Sequence, residues 1–131
     1  LFFLGILLAV AALESLGILF EFAGSLNKAI PNTDIVVVLF GIGSAIVDNV
    51  PLVAASMGMF SQSIDDPLWH FIAFSAGTGG SMLIIGSAAG VVAMGMEKID
   101  FFWYLKKISW LAFLGFIAGS ITFVFLRGLL V

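Results

Sequence analysis

The residues DNVP, at positions 48–51, interrupt an apolar stretch that runs from about residue 35 to residue 60. A second polar and glycine-rich run, GTGGS at positions 77–81, lies in the middle of another apolar stretch, from about residue 68 to residue 96. At membrane depth, a carboxylate or an unwound backbone is tolerated only inside protein or beside a water-filled cavity. Discontinuous helices of this kind hold the substrate and ion sites of secondary transporters. The two interruptions therefore predict part of a transporter.

The composition is that of a membrane protein. Of the 131 residues, 62% are hydrophobic and 10% are charged, whereas an average soluble domain has about 25% charged residues. A helix needs about 20 apolar residues to cross the hydrocarbon core, so the chain has room for about four or five such segments. We expect a single all-α membrane domain over residues 1–131, in contact with the lipid bilayer.

The charges and the missing cysteines argue against several other functions. A net charge of −3 without a basic stripe predicts no nucleic-acid partner. Without cysteine the chain has no thiolate metal site and no cysteine nucleophile, and His70 is its only histidine. The run at 77–81 lacks the lysine and the spacing of a phosphate-binding loop. We expect no enzymatic activity and no cofactor.

The chain starts at Leu1 inside an apolar run, with no basic region before it, so we expect a piece of a longer protein.

The first half of the chain predicts one spanning helix and one hairpin. Residues 1–20 form the spanning helix, and the polar residues 21–34 form a loop. In the region 35–60, Pro51 removes a backbone donor, and Asp48 is suited to cap a helix that starts near Val50. The two resulting arms of about 12 residues are each about 18 Å long. They predict a re-entrant hairpin that enters and leaves the membrane on one side.

The second half predicts a broken helix, an interfacial helix and a last spanning helix. The break within 68–96 falls at residues 77–81, because glycine disfavours helix by about 1 kcal/mol relative to alanine. The charged and aromatic sequence EKIDFFWYLKKI, residues 97–108, predicts a helix in the headgroup plane. Residues 109–131 predict a spanning helix. The three lysines within 97–108 place that segment on the cytoplasmic side, although this rule fits both a re-entrant and a fully crossing second region.

Oxygen atoms at the two interruptions could bind a cation. Helix N-termini from Val50 and from Gly80 would face a shared cavity, and free carbonyls near Val47 and Gly77 would supply oxygens. Four side chains could supplement them: Ser44, Asn49, Thr78 and Ser81. Asp48 would add a full negative charge that holds either Na⁺ or a proton. Competition between two cations at one carboxylate is the simplest basis for an antiporter.

The same features also have purely structural interpretations. Asp48 could serve only as a helix N-cap. The glycines at 77, 79 and 80 could allow close packing between membrane helices. Glu14, deep in the first apolar segment, could pair with another helix or could line a proton or ion pathway.

The order of these parts resembles a known arrangement, and two sequences carry the resemblance: SAIVDNVPLVAA at 44–55 and GTGGSMLIIGSAAGVVAMG at 77–95. The chain resembles the second, C-terminal inverted repeat of the ion transporter superfamily. That superfamily includes divalent-anion/sodium symporters, arsenite permeases and NhaD-type sodium/proton antiporters, and the two sequences look most like the NhaD type.

This resemblance implies a homodimeric, multi-pass transporter of the bacterial inner membrane that exchanges Na⁺ or Li⁺ for H⁺. A full-length member of the superfamily also has a first inverted repeat. That repeat of the same protein would be the partner of the part seen here. The Asp48-Asn49 pair replaces the Ser-Asn-Thr signature of the carboxylate symporters, which favours a cation over an anion. Carried over by position, Na⁺ would lie at Asp48, Asn49 and Thr78, and the whole ion site would comprise Ser44, Asp48, Asn49, Pro51, Thr78, Gly79, Gly80 and Ser81.

Two other functions stay open at this stage. The first is transport of an anion or metalloid, such as a dicarboxylate or arsenite, because helix N-termini suit oxyanions. The second is a non-transporting membrane subunit, because the first repeat is missing and small residues are frequent.

Overall fold

The computed structural model describes the backbone of residues 1–130. Residue 131 and the side chains at positions 2, 3, 6, 7, 10, 14, 19, 20, 22, 23 and 27 lie outside the described part. Within the described part the chain is all-helical, as predicted, and contains no strand. Its helices are α1 (Phe2–Ser15), α2 (Ile18–Ala29), α3 (Thr33–Gly43), α4 (Asn49–Met59), α5 (Pro67–Gly79), α6 (Ala88–Met96), α7 (Phe101–Lys107) and α8 (Ser109–Leu130).

The N-terminal segment forms two helices, which corrects the prediction of one spanning helix over 1–20 and a loop over 21–34. The first helix, α1, ends where Gly17 takes a left-handed φ of 74°, which costs glycine no steric clash. The second, α2, then continues to Ala29. Its polar residues lie among good helix formers, so their polarity does not unwind it. The chain leaves the helix at Ile30, immediately before Pro31, where a proline disfavours helical backbone.

The second apolar region forms two helices, α3 and α4, with non-helical residues 44–48 between them. Asn32 precedes α3, and its side chain accepts a hydrogen bond of 3.0 Å from the backbone N–H of Asp34. The helix α4 begins at Asn49 and carries Pro51 in its first turn, where the missing N–H costs no helical hydrogen bond. These helices occupy the positions of the two predicted hairpin arms.

The third region is also interrupted, but later than predicted. The helix α5 runs through the glycine-rich sequence to Gly79, and residues 80–87 form the non-helical segment, with a 3-10 turn at Ile84–Gly86. The predicted break at 77–81 was therefore wrong in position. Ser87, whose Oγ accepts a hydrogen bond of 3.0 Å from the N–H of Gly90, caps the start of α6. The predicted helix start at Gly80 was also wrong, because the next α-helix, α6, begins at Ala88.

The C-terminal part contains a short helix and a long one. The segment predicted as one interfacial helix over 97–108 is a turn followed by α7, and the Asp100 side chain caps α7 by accepting a hydrogen bond from the N–H of Trp103. The last helix, α8, spans most of the predicted segment 109–131. Within the described residues it is the one helix long and apolar enough to cross a membrane.

The core lies between α3, α5 and α8. In one cluster, Val37 of α3 packs with Phe71 and Ile72 of α5. Two stacked aromatic pairs join α5 to α8. Phe71 stacks on Phe123 with ring centroids 4.8 Å apart, and Phe74, one turn later in α5, stacks on Phe116, two turns earlier in α8. The two helices therefore run antiparallel. The helices α1 and α2 pack mainly against α4.

The helices α3 and α5 run parallel and begin at the same end of the molecule. A cavity at that end is lined by residues 31–34 before and within α3, and by Gln62 and Asp66 before α5. Arg127, near the end of α8, also lines this cavity and forms an ion pair of 2.6 Å with Asp34. Because α3 and α5 start together, the chain reverses direction within residues 44–66, and α4 leads back toward the starting end.

Candidate functional site

The two non-helical segments lie side by side. We call residues 44–48 the tip and residues 80–87 the link. A Cβ atom built on Gly86 of the link would lie 2.5 Å from the carbonyl oxygen of Gly80 and 2.7 Å from that of Ala45 in the tip. A Cβ atom built on Gly80 would lie 3.6 Å from the carbonyl oxygen of Ser44. The tip and the link therefore touch through their backbones, and position 86 has no room for a side chain.

Carbonyl oxygens lie at this contact. Those of Gly86 and Ser44 lie beside the Cβ position of Gly80, and those of Gly80 and Ala45 lie beside the Cβ position of Gly86. Within the described part of the chain, none of these four carbonyls accepts a backbone hydrogen bond. Carbonyl oxygens that are free of helical hydrogen bonds can replace the hydration shell of a monovalent cation.

Two parallel helices end at the same contact. Ser44 directly follows α3, and Gly80 directly follows α5. A helix C-terminus carries roughly half a negative charge, because its last carbonyls lack partners. Two such ends side by side create a potential that attracts a cation.

Ser44 connects the tip to α5. Its side chain is fully buried, and its Oγ donates a hydrogen bond of 2.6 Å to the carbonyl oxygen of Ala76. This bond holds the end of α3 against the last turn of α5. The Ser44 carbonyl, which faces Gly80, is therefore fixed relative to the link.

Asp48 occupies the N-cap position of α4, but its side chain makes no capping hydrogen bond. It also forms no ion pair with another described residue. The interpretation of Asp48 as a simple helix cap thus lacks the hydrogen bond on which it depends. Asp48 and Asn49 are both half-buried. The close contacts between tip and link run through Ser44 and Ala45, a few residues earlier in the chain.

The predicted residues of the broken helix take three different positions. Gly79 packs against α3, because a Cβ atom there would overlap the backbone of Gly41, so its role is close helix packing. Thr78 lies in the last turn of α5, and its carbonyl accepts hydrogen bonds from the backbone N–H and the Oγ of Ser81, at 3.1 Å and 2.6 Å. Gly80 alone of the three glycines at 77, 79 and 80 lies at the contact with the tip.

Sequence reasoning missed three residues of this region: Ala45, Gly86 and Ser87. The sequence GSAA at 86–89 contains a recognisable signal, because a serine before good helix formers is a typical N-cap. For Ala45 no signal exists in the sequence, since its part in the site is a backbone carbonyl.

Glu14 lies in α1, and its side chain is outside the described part, so a pathway role for it stays a prediction. His70 is exposed in the first turn of α5. Among the described residues, no group of three or more histidine, aspartate or glutamate side chains could hold a metal ion.

Known proteins similar to this chain are named as sodium/proton antiporters. The chain is 55% identical over 132 residues to sodium/proton antiporter 1 of Arabidopsis thaliana and 54% identical over 127 residues to sodium/proton antiporter 2 of the same plant. It is 34% identical over 129 residues to the Na⁺/H⁺ antiporter NhaD of Alkalimonas amylolytica. These alignments cover 98%, 95% and 97% of this chain. No family model and no solved structure matches the chain.

The chain spans about a quarter of the length of these curated relatives, with coverages of 23%, 30% and 26%. Within that span the similarity includes both the tip and the link. Such similarity to antiporters, together with the all-helical fold and the apolar composition, makes this an integral membrane protein. Over nearly its whole length, the chain is similar to sodium/proton antiporters, including those of the NhaD type.

Proposed function

We propose that the full-length protein exchanges Na⁺ for H⁺ across a membrane, and that the cation binds where the tip meets the link. The observation that carries this proposal is the backbone contact of tip and link, at which the carbonyl oxygens of Ser44, Ala45, Gly80 and Gly86 lie. The relatives named above are sodium/proton antiporters, which supports the same pair of ions.

The charge distribution at the contact favours a cation over an anion. The groups at the contact are carbonyl oxygens, and the ends of α3 and α5 that lie there are the negative ends of their dipoles. An oxyanion would instead need N–H donors at this position. The comparisons with known proteins do not favour an anion or metalloid transporter either.

Asp48 is the residue that we propose couples the two ions. It is the last residue of the tip, directly before α4, is half-buried, and has no capping hydrogen bond or ion pair among the described residues. A carboxylate in such a position can be neutralised by a proton or by Na⁺, but not by both at once. Binding of one ion therefore releases the other. Asn49 and Thr78, also half-buried, are the side chains that we propose supplement the shell.

We further propose that α3 and α4 form a re-entrant hairpin. The cavity shared by residues 31–34 and by Gln62 and Asp66 supports this topology, because it brings the loops before α3 and after α4 to the same end. A fully crossing second region would separate these loops by the thickness of the membrane. The three lysines at 98, 106 and 107 then place α7 on the cytoplasmic side. The homodimer, the first repeat and the bacterial inner membrane stay expectations from the resemblance.

Asp48→Asn in the full-length protein tests the proposal. Vesicles that contain the wild-type protein and a pH-sensitive dye should show proton movement on addition of Na⁺, and the apparent half-saturating Na⁺ concentration should rise as the pH falls. Asp48→Asn should abolish this exchange. Asp65→Asn, which removes an exposed loop carboxylate, is the matched control and should leave the exchange unchanged.

Two results would contradict the proposal. If Asp48→Asn exchanges Na⁺ for H⁺ at the rate of the wild type, Asp48 has no part in the mechanism. Uptake of a dicarboxylate, or arsenite extrusion, by wild-type vesicles that show no Na⁺-dependent proton signal would replace cation exchange altogether.

A further inference from the structure

A hydrogen bond connects α7 to the link. The hydroxyl of Tyr104, the only tyrosine in the chain, donates to the carbonyl oxygen of Ser81 at 2.8 Å. The two residues are 23 positions apart, and α7 also contacts the 3-10 turn of the link. A helix with charged and aromatic residues is thus bonded directly to the backbone of the proposed ion site.

The link is supported differently on its two sides. Toward the tip, Gly80 and Gly86 are in close backbone contact with Ser44 and Ala45. Toward α7 there is an open cavity of about 430 Å³, lined by tip and link residues together with Leu105, Ser109 and Trp110. Met82 and Ile84 of the link are buried, but side chains leave this space open. Among the described residues, the Tyr104 hydroxyl makes the one side-chain hydrogen bond between α7 and the link.

The Ser81 carbonyl belongs to the peptide unit that follows the one containing the Gly80 carbonyl, and the two units meet at the Ser81 Cα. The carbonyl of Gly80 and the N–H of Ser81 belong to the same planar peptide group. The N–H of Ser81 donates to Thr78 at 3.1 Å, and the carbonyl of Ser81 accepts from Tyr104. Each of the two peptide units that meet at the Ser81 Cα is therefore held by one hydrogen bond. Loss of the Tyr104 bond would free one unit and relax the Cα at which the Gly80 unit ends.

We propose that Tyr104 is a positioning residue for the ion site: its hydroxyl holds the Ser81 carbonyl and thereby orients the Gly80 carbonyl toward the cation. This inference rests on the proposed function. It also makes the occupancy of the ion site sensitive to the position of α7, because a displacement of α7 moves the hydrogen-bond donor.

The test uses full-length protein in the vesicles described above and compares Tyr104→Phe with Trp103→Phe. The first variant keeps the ring and removes the hydroxyl. The second changes Trp103, an aromatic residue on the same helix that is 50% exposed. Half-saturation by Na⁺ and maximal exchange rate are measured for each, with a melting curve in the absence of Na⁺ to compare folding.

We expect Tyr104→Phe to raise the half-saturating Na⁺ concentration by about two- to tenfold, the range that corresponds to one neutral hydrogen bond. Its maximal rate should stay within about a factor of two of the wild type, because the hydroxyl does not contact the ion. Trp103→Phe should match the wild type in both quantities.

Three outcomes would overturn the inference: an unchanged half-saturation in Tyr104→Phe, an equal rise in Trp103→Phe, or a fall in maximal rate alone. If Tyr104→Phe does not fold, 3-fluorotyrosine at position 104 decides, because its more acidic hydroxyl is a stronger donor. Half-saturation should then fall below the wild-type value, and an unchanged value overturns the inference. Absence of exchange in the wild type would instead contradict the proposed function itself.

Discussion

Replacement of Gly79 by alanine should separate α3 and α5, the two helices whose ends lie at the proposed ion site. A Cβ atom at Gly79 would lie 2.5 Å from the carbonyl carbon of Gly41 and 2.8 Å from its Cα, whereas ordinary contact begins at 3.4 Å. Both obstacles are helix backbone, which cannot rotate away. The helices α3 and α5 must therefore move apart by on the order of an ångström, and overpacking of this kind costs about 1–3 kcal/mol.

The movement should also weaken the bond between Ser44 and Ala76, which joins α3 to α5 at 2.6 Å. We therefore expect Gly79→Ala to lower the melting temperature of the full-length protein by several degrees and to raise the half-saturating Na⁺ concentration. Melting is followed by loss of the monodisperse peak in size-exclusion chromatography after heating, and exchange is measured in vesicles.

Gly77→Ala is the matched control for this substitution. Gly77 lies on the same helix, two residues earlier, and has no atom within 4 Å of its Cβ position. Alanine there should be neutral or should stabilise α5 by up to about 1 kcal/mol through helix propensity. If Gly79→Ala melts like the wild type, or if both variants are destabilised equally, the close crossing of α3 and α5 is refuted.

Two other substitutions test the remaining contacts. Gly86→Ala should abolish exchange, because the new Cβ atom would lie 2.5 Å and 2.7 Å from two carbonyl oxygens of the proposed site. Gly95→Ala is the control and should leave exchange unchanged, because no atom lies within 4 Å of the Cβ position there. A double-mutant cycle of melting curves for Asp34→Asn and Arg127→Gln should give a coupling of about 1 kcal/mol, since the pair is only partly exposed, at 25% and 29%. Additive effects would mean that the ion pair contributes nothing.

The sequence predicted the interrupted helices, because proline and adjacent glycines act through local backbone chemistry. Pro51 and its preceding polar residues mark the start of α4, which begins at Asn49. The first helix was harder to predict. A kink at Gly17 depends on a φ of 74°, and glycine in an apolar run gives no sign of whether it adopts that conformation.

The position of the link could not be predicted from glycine content alone. The propensity penalty of about 1 kcal/mol for a glycine in a helix is small beside a close helix crossing. Gly79 remains helical because its missing side chain lets α5 approach Gly41 of α3. The tertiary contact thus extends α5 through the glycine-rich run, and the break moves to the residues that follow it.

The glycine-rich run therefore separates by position into structural and functional residues. Gly77 faces open space, Gly79 permits the crossing of α3 and α5, and Gly80 lies beside the tip. The structural role of Gly79 is also what makes a cation site at Gly80 feasible, because the crossing brings the negative ends of α3 and α5 together. In this proposal, the helix packing and the cation site depend on the same contact. A substitution that widens the crossing should weaken cation binding without touching any proposed ligand.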